Sequence, residues 1–319
     1  MNDRKRYPTE EVEPENFLDN DEVMNLLETQ KNYKFKQEDY LILLNCVHCN
    51  ACGTSEERCQ LNHKFLEDGN KIEGLDEMIA SFEKFRTPYS TDKMRIRRPE
   101  GIPRESNTLY YMGCLSTIRV PRYTENSLIY LLKQNIDFTI LDKEICCGYP
   151  LYVSGEFKGY ERCKEENIEI FNNFKKVICA CPACYYVFKN NYQEEMTAEI
   201  TFVVDYLKPA DTKKSGSIAI QHLCQLMNRG HPEVTSFVND ILRESGYKVL
   251  DIPHWCCGGG IGYMHRLDII EKIARKRMGD FQEGDYCTTY CVSCWWILSR
   301  FGRKYDIKPK PKDIFELLM

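Results

Sequence analysis

A chain of 319 residues has room for two domains of about 100 residues each plus an appendage, every one able to enclose its own core. A net charge of −5 argues against the strongly basic surface of a nucleic-acid binder. No apolar run is long enough for a membrane span, and residues 1–11 lack the apolar stretch of a signal peptide, so a cytoplasmic protein without a transmembrane segment is expected.

In chain order, residues 1–20 read as a polar, acidic tail. From Asp21 an amphipathic helix is predicted with Val23, Leu26 and Leu27 on one face, then a second near Tyr40 and Leu44, opening a small helical module over 21–88. Residues 89–107 follow as an extended basic linker, with Lys93, Arg95, Arg97 and Arg98 near Pro99 and Pro103. Over 108–215, strands are predicted at 109–112, 138–141 and 177–180, with helices at 123–133 and 157–174 between them. Over 216–319 the order repeats, with strands at 218–220, 248–252 and 285–288 and helices at 233–243 and 267–278. Such alternation predicts an α/β fold: two tandem, duplicated, Rossmann-like domains with parallel sheets behind an N-terminal α-helical module.

The 17 cysteines point to the chemistry. Cys114, Cys146, Cys147, Cys181 and Cys184 become Cys224, Cys256, Cys257, Cys291 and Cys294 when 110 is added to each number, and Gly148 becomes Gly258. Five spacings kept without an insertion mark an internal duplication of a metal-binding domain. In a reducing compartment these residues are expected to be thiolate ligands or free thiols rather than disulfides. A tetrahedral zinc ion or an ordinary cubane needs four ligands, and each set has five. The adjacent Cys146 and Cys147 cannot easily aim both sulfurs at one ion but can serve neighbouring irons. Iron-sulfur chemistry is therefore favoured, with zinc in one repeat as the alternative. Open parallel sheets gather ligands beyond the carboxyl ends of their strands, so the members of a set can converge despite their separation in sequence. Glycines 258, 259, 260 and 262 would let backbone amides approach sulfur, and they lack dinucleotide-binding spacing.

Cys46, Cys49 and Cys52, in C-x-x-C-x-x-C spacing, suit one corner of a cubane, as in ferredoxins, with Cys59 as fourth ligand. A zinc finger is the alternative. Cys163, Cys179 and Cys287 have no counterparts and read as small buried apolar residues.

The doubled C, C-C-G, C-x-x-C pattern resembles the cysteine-rich CCG domains of the heterodisulfide reductase catalytic subunit, and with the N-terminal ferredoxin-like segment the chain is similar to the fused form. Iron-sulfur subunits of glycolate oxidase and of anaerobic glycerol-3-phosphate dehydrogenase share that architecture. The resemblance implies one cubane [4Fe-4S] cluster on the N-terminal set and a non-cubane [4Fe-4S] cluster on each five-cysteine set. A disulfide substrate, such as the coenzyme M–coenzyme B heterodisulfide, would sit between the two. It implies partners in a complex: an electron-donating flavoprotein, or subunits of hydrogenase or formate dehydrogenase type. The chain departs from the family's fused form in having one cubane motif instead of two, and in having Gln225 where a histidine often follows Cys224. His222 is the candidate proton donor to a leaving thiolate, with a packed strand-end histidine as the other reading. The same two readings apply to His254 and His265. Arg119, Arg122, Arg266, Arg300 and Arg303 are candidates for a substrate phosphate or sulfonate, or are solvated helix faces. Three functions compete: a disulfide reductase, an electron-transfer subunit between a flavoprotein and a quinone-reducing or other partner, and a scaffold or zinc-binding interaction module.

Overall fold

The computed structural model describes residues 20–29, 33–39, 43, 46–260 and 266–319. The expected tail, most of the predicted helix around Tyr40 and Leu44, and His265 and Gly262 lie outside them. The first helix spans Asn20–Thr29 with Val23 buried, and Ser55–Glu67 and Leu75–Phe85 complete the helical part.

Two parallel sheets follow. The first has the order β1 (Thr108–Tyr111), β2 (Lys176–Cys179), β3 (Glu199–Phe202). The second has β5 (Lys248–Val249), β4 (Ser217–Gln221), β6 (Tyr286–Thr289), β7 (Pro311–Asp313). Every pairing is parallel. In β1, β2 and β4 every residue after the first is buried, as expected of strands covered on both faces. The crossovers are the helices Pro121–Lys133 and Phe157–Phe171 in the first unit, and Glu233–Glu244 and Leu267–Gly279 in the second.

The structure corrects the predicted strand over 138–141, which is reduced to a single parallel bridge between Leu109 and Thr139. The linker takes the next positions instead: Arg98 donates to the Ile140 carbonyl (2.6 Å), and the Thr139 hydroxyl to that of Pro103 (2.8 Å). The counterpart of that bridge is β5, itself only two residues long, so the two sheets match strand for strand. β3 and β7 escaped the sequence reading because they are short edge strands with mixed polar residues. So did the helices Pro182–Val187 and Val292–Lys304, which follow the two C-x-x-C segments.

The units are tied together at several points. Phe315, from the last helix Ile314–Leu318, packs edge-on against Tyr123 at 5.7 Å, and Asn126 donates to Asp313 (2.8 Å). Asn62 donates to the Val153 carbonyl (2.8 Å), where Gly155 lies so close to the Asn62–His63 backbone that no Cβ would fit. Among the described residues no helix is long and apolar enough to cross a membrane.

Candidate metal centre

Each cysteine group follows the carboxyl end of a strand or bridge. Cys114 and Cys224 start short helices after β1 and β4. Cys181 and Cys291 occupy the N-caps of the helices after β2 and β6, which places Cys184 and Cys294 one turn further on. The C-C-G segments occupy the loops after Thr139 and after β5. In each repeat the sulfurs meet in pairs. Cys114 and Cys146 are 3.4 Å apart, Cys147 and Cys184 also 3.4 Å. The equivalent pairs are Cys224 with Cys256 at 3.8 Å and Cys257 with Cys294 at 3.1 Å. Among the described residues no three His, Cys, Asp or Glu side chains surround one metal-ion position.

The loops are held by equivalent positions using different chemistry. The Tyr111 hydroxyl donates to the Ile145 carbonyl (2.6 Å), and Gln221, 110 residues later, donates to that of Trp255 (2.9 Å). Asn167 donates to the Cys146 carbonyl (3.0 Å). Its counterpart Arg277 donates to Gln221 Oε1 and to the Pro253 carbonyl, both at 2.6 Å. Glu144 accepts from the amides of Met112 (2.8 Å) and Gly113 (2.7 Å), fixing the approach to Cys114, and burial raises its pKa to about 7.

The thiol chemistry repeats as well. Cys147 and Cys257 are held well below the usual thiol range, Cys147 by hydrogen bonds with Cys146 and Cys184, Cys257 by those with Cys256 and Cys294. Cys184 and Cys294 are pushed up by the same contacts. Gly258 and Gly259 donate their amides to Cys256 Sγ (3.3 Å) and Cys257 Sγ (3.2 Å), the close approach expected of a glycine-rich loop.

The two sets open on one space. Cys114, Cys146, Cys147, Cys181 and Cys184, with Cys224, Cys257, Cys291 and Cys294, line a single cavity of about 120 Å³. Its other walls include Tyr89, Leu115, Tyr149, Gln225, Ser293 and Trp296. Sequence reasoning missed most of these. Tyr149 and Gln225 were signalled by adjacency to Gly148 and Cys224, whereas nothing local marks Tyr89 or Trp296.

Cys46, Cys49 and Cys59 are buried and Cys52 half-buried. The His48 amide donates to Cys46 Sγ (3.2 Å), and Cys59 donates to the Ser55 carbonyl (3.1 Å). Burial raises the Cys46 thiol to about 11. Cys49 differs: it lies against Cys256, and that contact lowers it to about 7. The second repeat grips this segment. Gln225 donates to the His48 carbonyl (3.1 Å) and Asn228 to that of Cys49 (2.8 Å), and Gly260 meets the Val47 carbonyl where a Cβ would not fit. Arg229, also missed from sequence, joins Glu56 (2.6 Å), Ser55 (2.8 Å) and Tyr149 (3.2 Å).

The remaining candidates stand elsewhere. His222 lines a separate cavity with His254, Asn239 and Arg243; its Nδ1 meets the Tyr290 hydroxyl at 2.8 Å, and burial lowers its pKa to about 3. This cavity is not the one the cysteines line. None of the five candidate arginines lines the cysteine cavity. Arg122 pairs with Glu316 and Arg266 with Asp268, Arg119 and Arg300 lie over Tyr89 and Phe301, and Arg303 caps the Ser299 carbonyl. Cys163, Cys179 and Cys287 are buried.

The residues fit an iron-sulfur group. The donors are all sulfur, amides point at the sulfurs, and Arg277, whose Nη2 is buried without a hydrogen-bond partner, favours the thiolate of Cys257.

Over 314 residues the chain is 24% identical to an uncharacterized iron-sulfur protein of Methanococcus maripaludis, a match covering 85% of this chain and 60% of that protein. It is 28% identical over 245 residues to an EtfAB:quinone oxidoreductase of Syntrophomonas wolfei, covering 67% of this chain and 34% of that one. The chain thus spans less than two thirds of both relatives. The fold is shared with a hypothetical protein from Helicobacter pylori, at a TM-score of 0.57 and 10% identity, covering 93% of this chain and 66% of that one. The profile of the CCG cysteine-rich domain matches residues 108–189 and again 218–299, each span holding one five-cysteine set. The chain belongs to the CCG cysteine-rich domain family and carries two copies of that domain.

Proposed function

We propose that this chain is an iron-sulfur oxidoreductase subunit that reduces a disulfide, with a non-cubane four-iron cluster on each five-cysteine set and a cubane on Cys46, Cys49, Cys52 and Cys59. The shared cavity carries the reading: nine cysteines from both sets border one space. A relay needs its centres spaced along a path and gains nothing from two of them facing each other across a cavity. Bound clusters would supply the electrons and the sulfur-binding irons. The protein's own part is to orient and to dry the site. Pro88, Leu115, Pro150, Pro182 and Trp296 exclude water, and the buried Tyr149 hydroxyl, held un-ionised, meets Gln225 at 3.4 Å on the wall. A substrate of the coenzyme M–coenzyme B heterodisulfide type, and electrons from a flavoprotein or from hydrogenase- or formate-dehydrogenase-type subunits, belong to the same proposal.

The competing reading is an electron-transfer subunit between a flavoprotein and a quinone-reducing partner. The name of the Syntrophomonas relative favours it, as does the contact of Cys49 with Cys256. Iron, zinc and sulfide content of anaerobically purified protein, followed by disulfide reduction with a viologen donor, separates them. The proposal expects about twelve irons per chain and turnover abolished in Cys147→Ser with the N-terminal signal kept. Fully loaded protein that reduces no disulfide would leave the relay reading standing.

A further inference from the structure

The duplication makes the two centres directly comparable, and at one position they differ in charge. In the first repeat Asn167 of the helix Phe157–Phe171 touches the C-C-G loop; in the second, Arg277 of the helix Leu267–Gly279 takes that place. Arg277 is 1% exposed. Two of its three hydrogen-bond acceptors, Gln221 and the Pro253 carbonyl, are neutral. The third, Asp280 at 3.0 Å, is half-buried at the surface end of the helix and so partly screened by solvent. A buried, incompletely compensated cation favours the more negative, reduced form of any neighbouring redox group. The second repeat is also the one that holds His48 and Cys49, through Gln225, Asn228 and the contact of Cys49 with Cys256, whereas the helix Ser55–Glu67 meets the first repeat at Val153.

We propose that the two five-cysteine centres are unequal, and that the second is the electron acceptor: Arg277 sets its potential above that of the first, and electrons from the N-terminal set reach it first. This rests on the iron-sulfur reading. A cluster held by Cys46, Cys49, Cys52 and Cys59 would give up one electron and be oxidised, and a cluster held by Cys224, Cys256, Cys257, Cys291 and Cys294 would take it and be reduced. No bond is made or broken and no proton moves. A reduced flavin or iron-sulfur group of a partner replaces the electron. Arg277 is a positioning residue for charge and touches no substrate.

The test is a redox titration of the full chain followed by electron paramagnetic resonance, after iron and sulfide assay. Low iron content would overturn the iron-sulfur reading itself, independently of the asymmetry. In loaded protein, Arg277→Gln lowers one midpoint, the more positive of the two five-cysteine centres, and leaves the other two in place. Arg277→Lys, which keeps the charge, restores the original value. Asp280→Asn removes the counter-charge and shifts the same midpoint upward, so the proposal stays testable if Arg277→Gln does not fold. The shifting centre is also the one whose relaxation is speeded by the reduced N-terminal centre. Equal midpoints in the unsubstituted protein, an unmoved midpoint in Asp280→Asn, or equal shifts in Arg277→Gln and Arg277→Lys would overturn it.

Discussion

Gly148 adopts φ +74°, and a Cβ there would come within 2.9 Å of the Tyr160 ring and 3.1 Å of Cys163 Cβ. Its counterpart Gly258, at φ +79°, packs on Ile270 and Ile273, the residues equivalent to Tyr160 and Cys163. The glycine of C-C-G therefore turns the loop so that both cysteines face the centre while the crossover helix passes underneath, and Cys163 is part of that floor. Gly148→Ala combines a left-handed penalty with a steric clash and should cost about 2–3 kcal/mol. Gly69→Ala, at φ +87° with open space around it, should cost only about 1 kcal/mol. Denaturant midpoints of the two variants check the difference. The five-cysteine sets and the glycine were legible in the sequence because each is a local pattern. Tyr111 and Gln221 were not, since two unlike residues perform one task and the likeness appears only once the strands place them below Ile145 and Trp255.

At the scale of elements, the last helix closes the second unit onto the first through Asp313, which caps that helix at the Glu316 amide (2.8 Å) and accepts from Asn126 (2.8 Å). It is fully buried, and burial raises its carboxyl pKa to about 6. The folded protein therefore holds this proton more tightly than the unfolded chain, whose carboxyl titrates near 3.8. The stability this group contributes is full below the unfolded pKa and falls as pH rises through about 6. The difference in melting temperature between the original protein and Asp313→Asn should change across that window and be flat above it; a constant difference would contradict the assignment. The crossover helices were legible from apolar periodicity, while β3, β7 and the helices after C-x-x-C were not. β3, β7 and Pro182–Val187 are short and are decided by the sheet edge and the cysteine turn, whereas Val292–Lys304, at 13 residues, has its start set by Cys291 at the N-cap.

At the scale of the molecule, the N-terminal cysteine segment touches both repeats, and Arg229 is the main clasp. Its side chain is 3% exposed, stacked on Tyr186 at 4.3 Å and paired with Glu56, which is 39% exposed. Because that partner is partly screened, Arg229→Gln should cost about 2 kcal/mol, below the figure for a fully buried pair. Hydrogen exchange should quicken over 46–67, while β1, β2, β4 and β6 keep their protection. Uniform loss of protection would show instead that the clasp supports the whole fold.

Duplication, thiolate chemistry and the α/β alternation were fixed by the sequence alone, because a spacing of 110 residues and a period of apolar positions are properties of a linear string. Tertiary structure alone decided that both sets border one cavity and that Cys49 lies against Cys256. It also decided that His222 and the candidate arginines stand apart from the cavity, and that Arg277 breaks the symmetry between the repeats. Those are facts of which surfaces meet when the sheets and helices pack, and no local pattern encodes them.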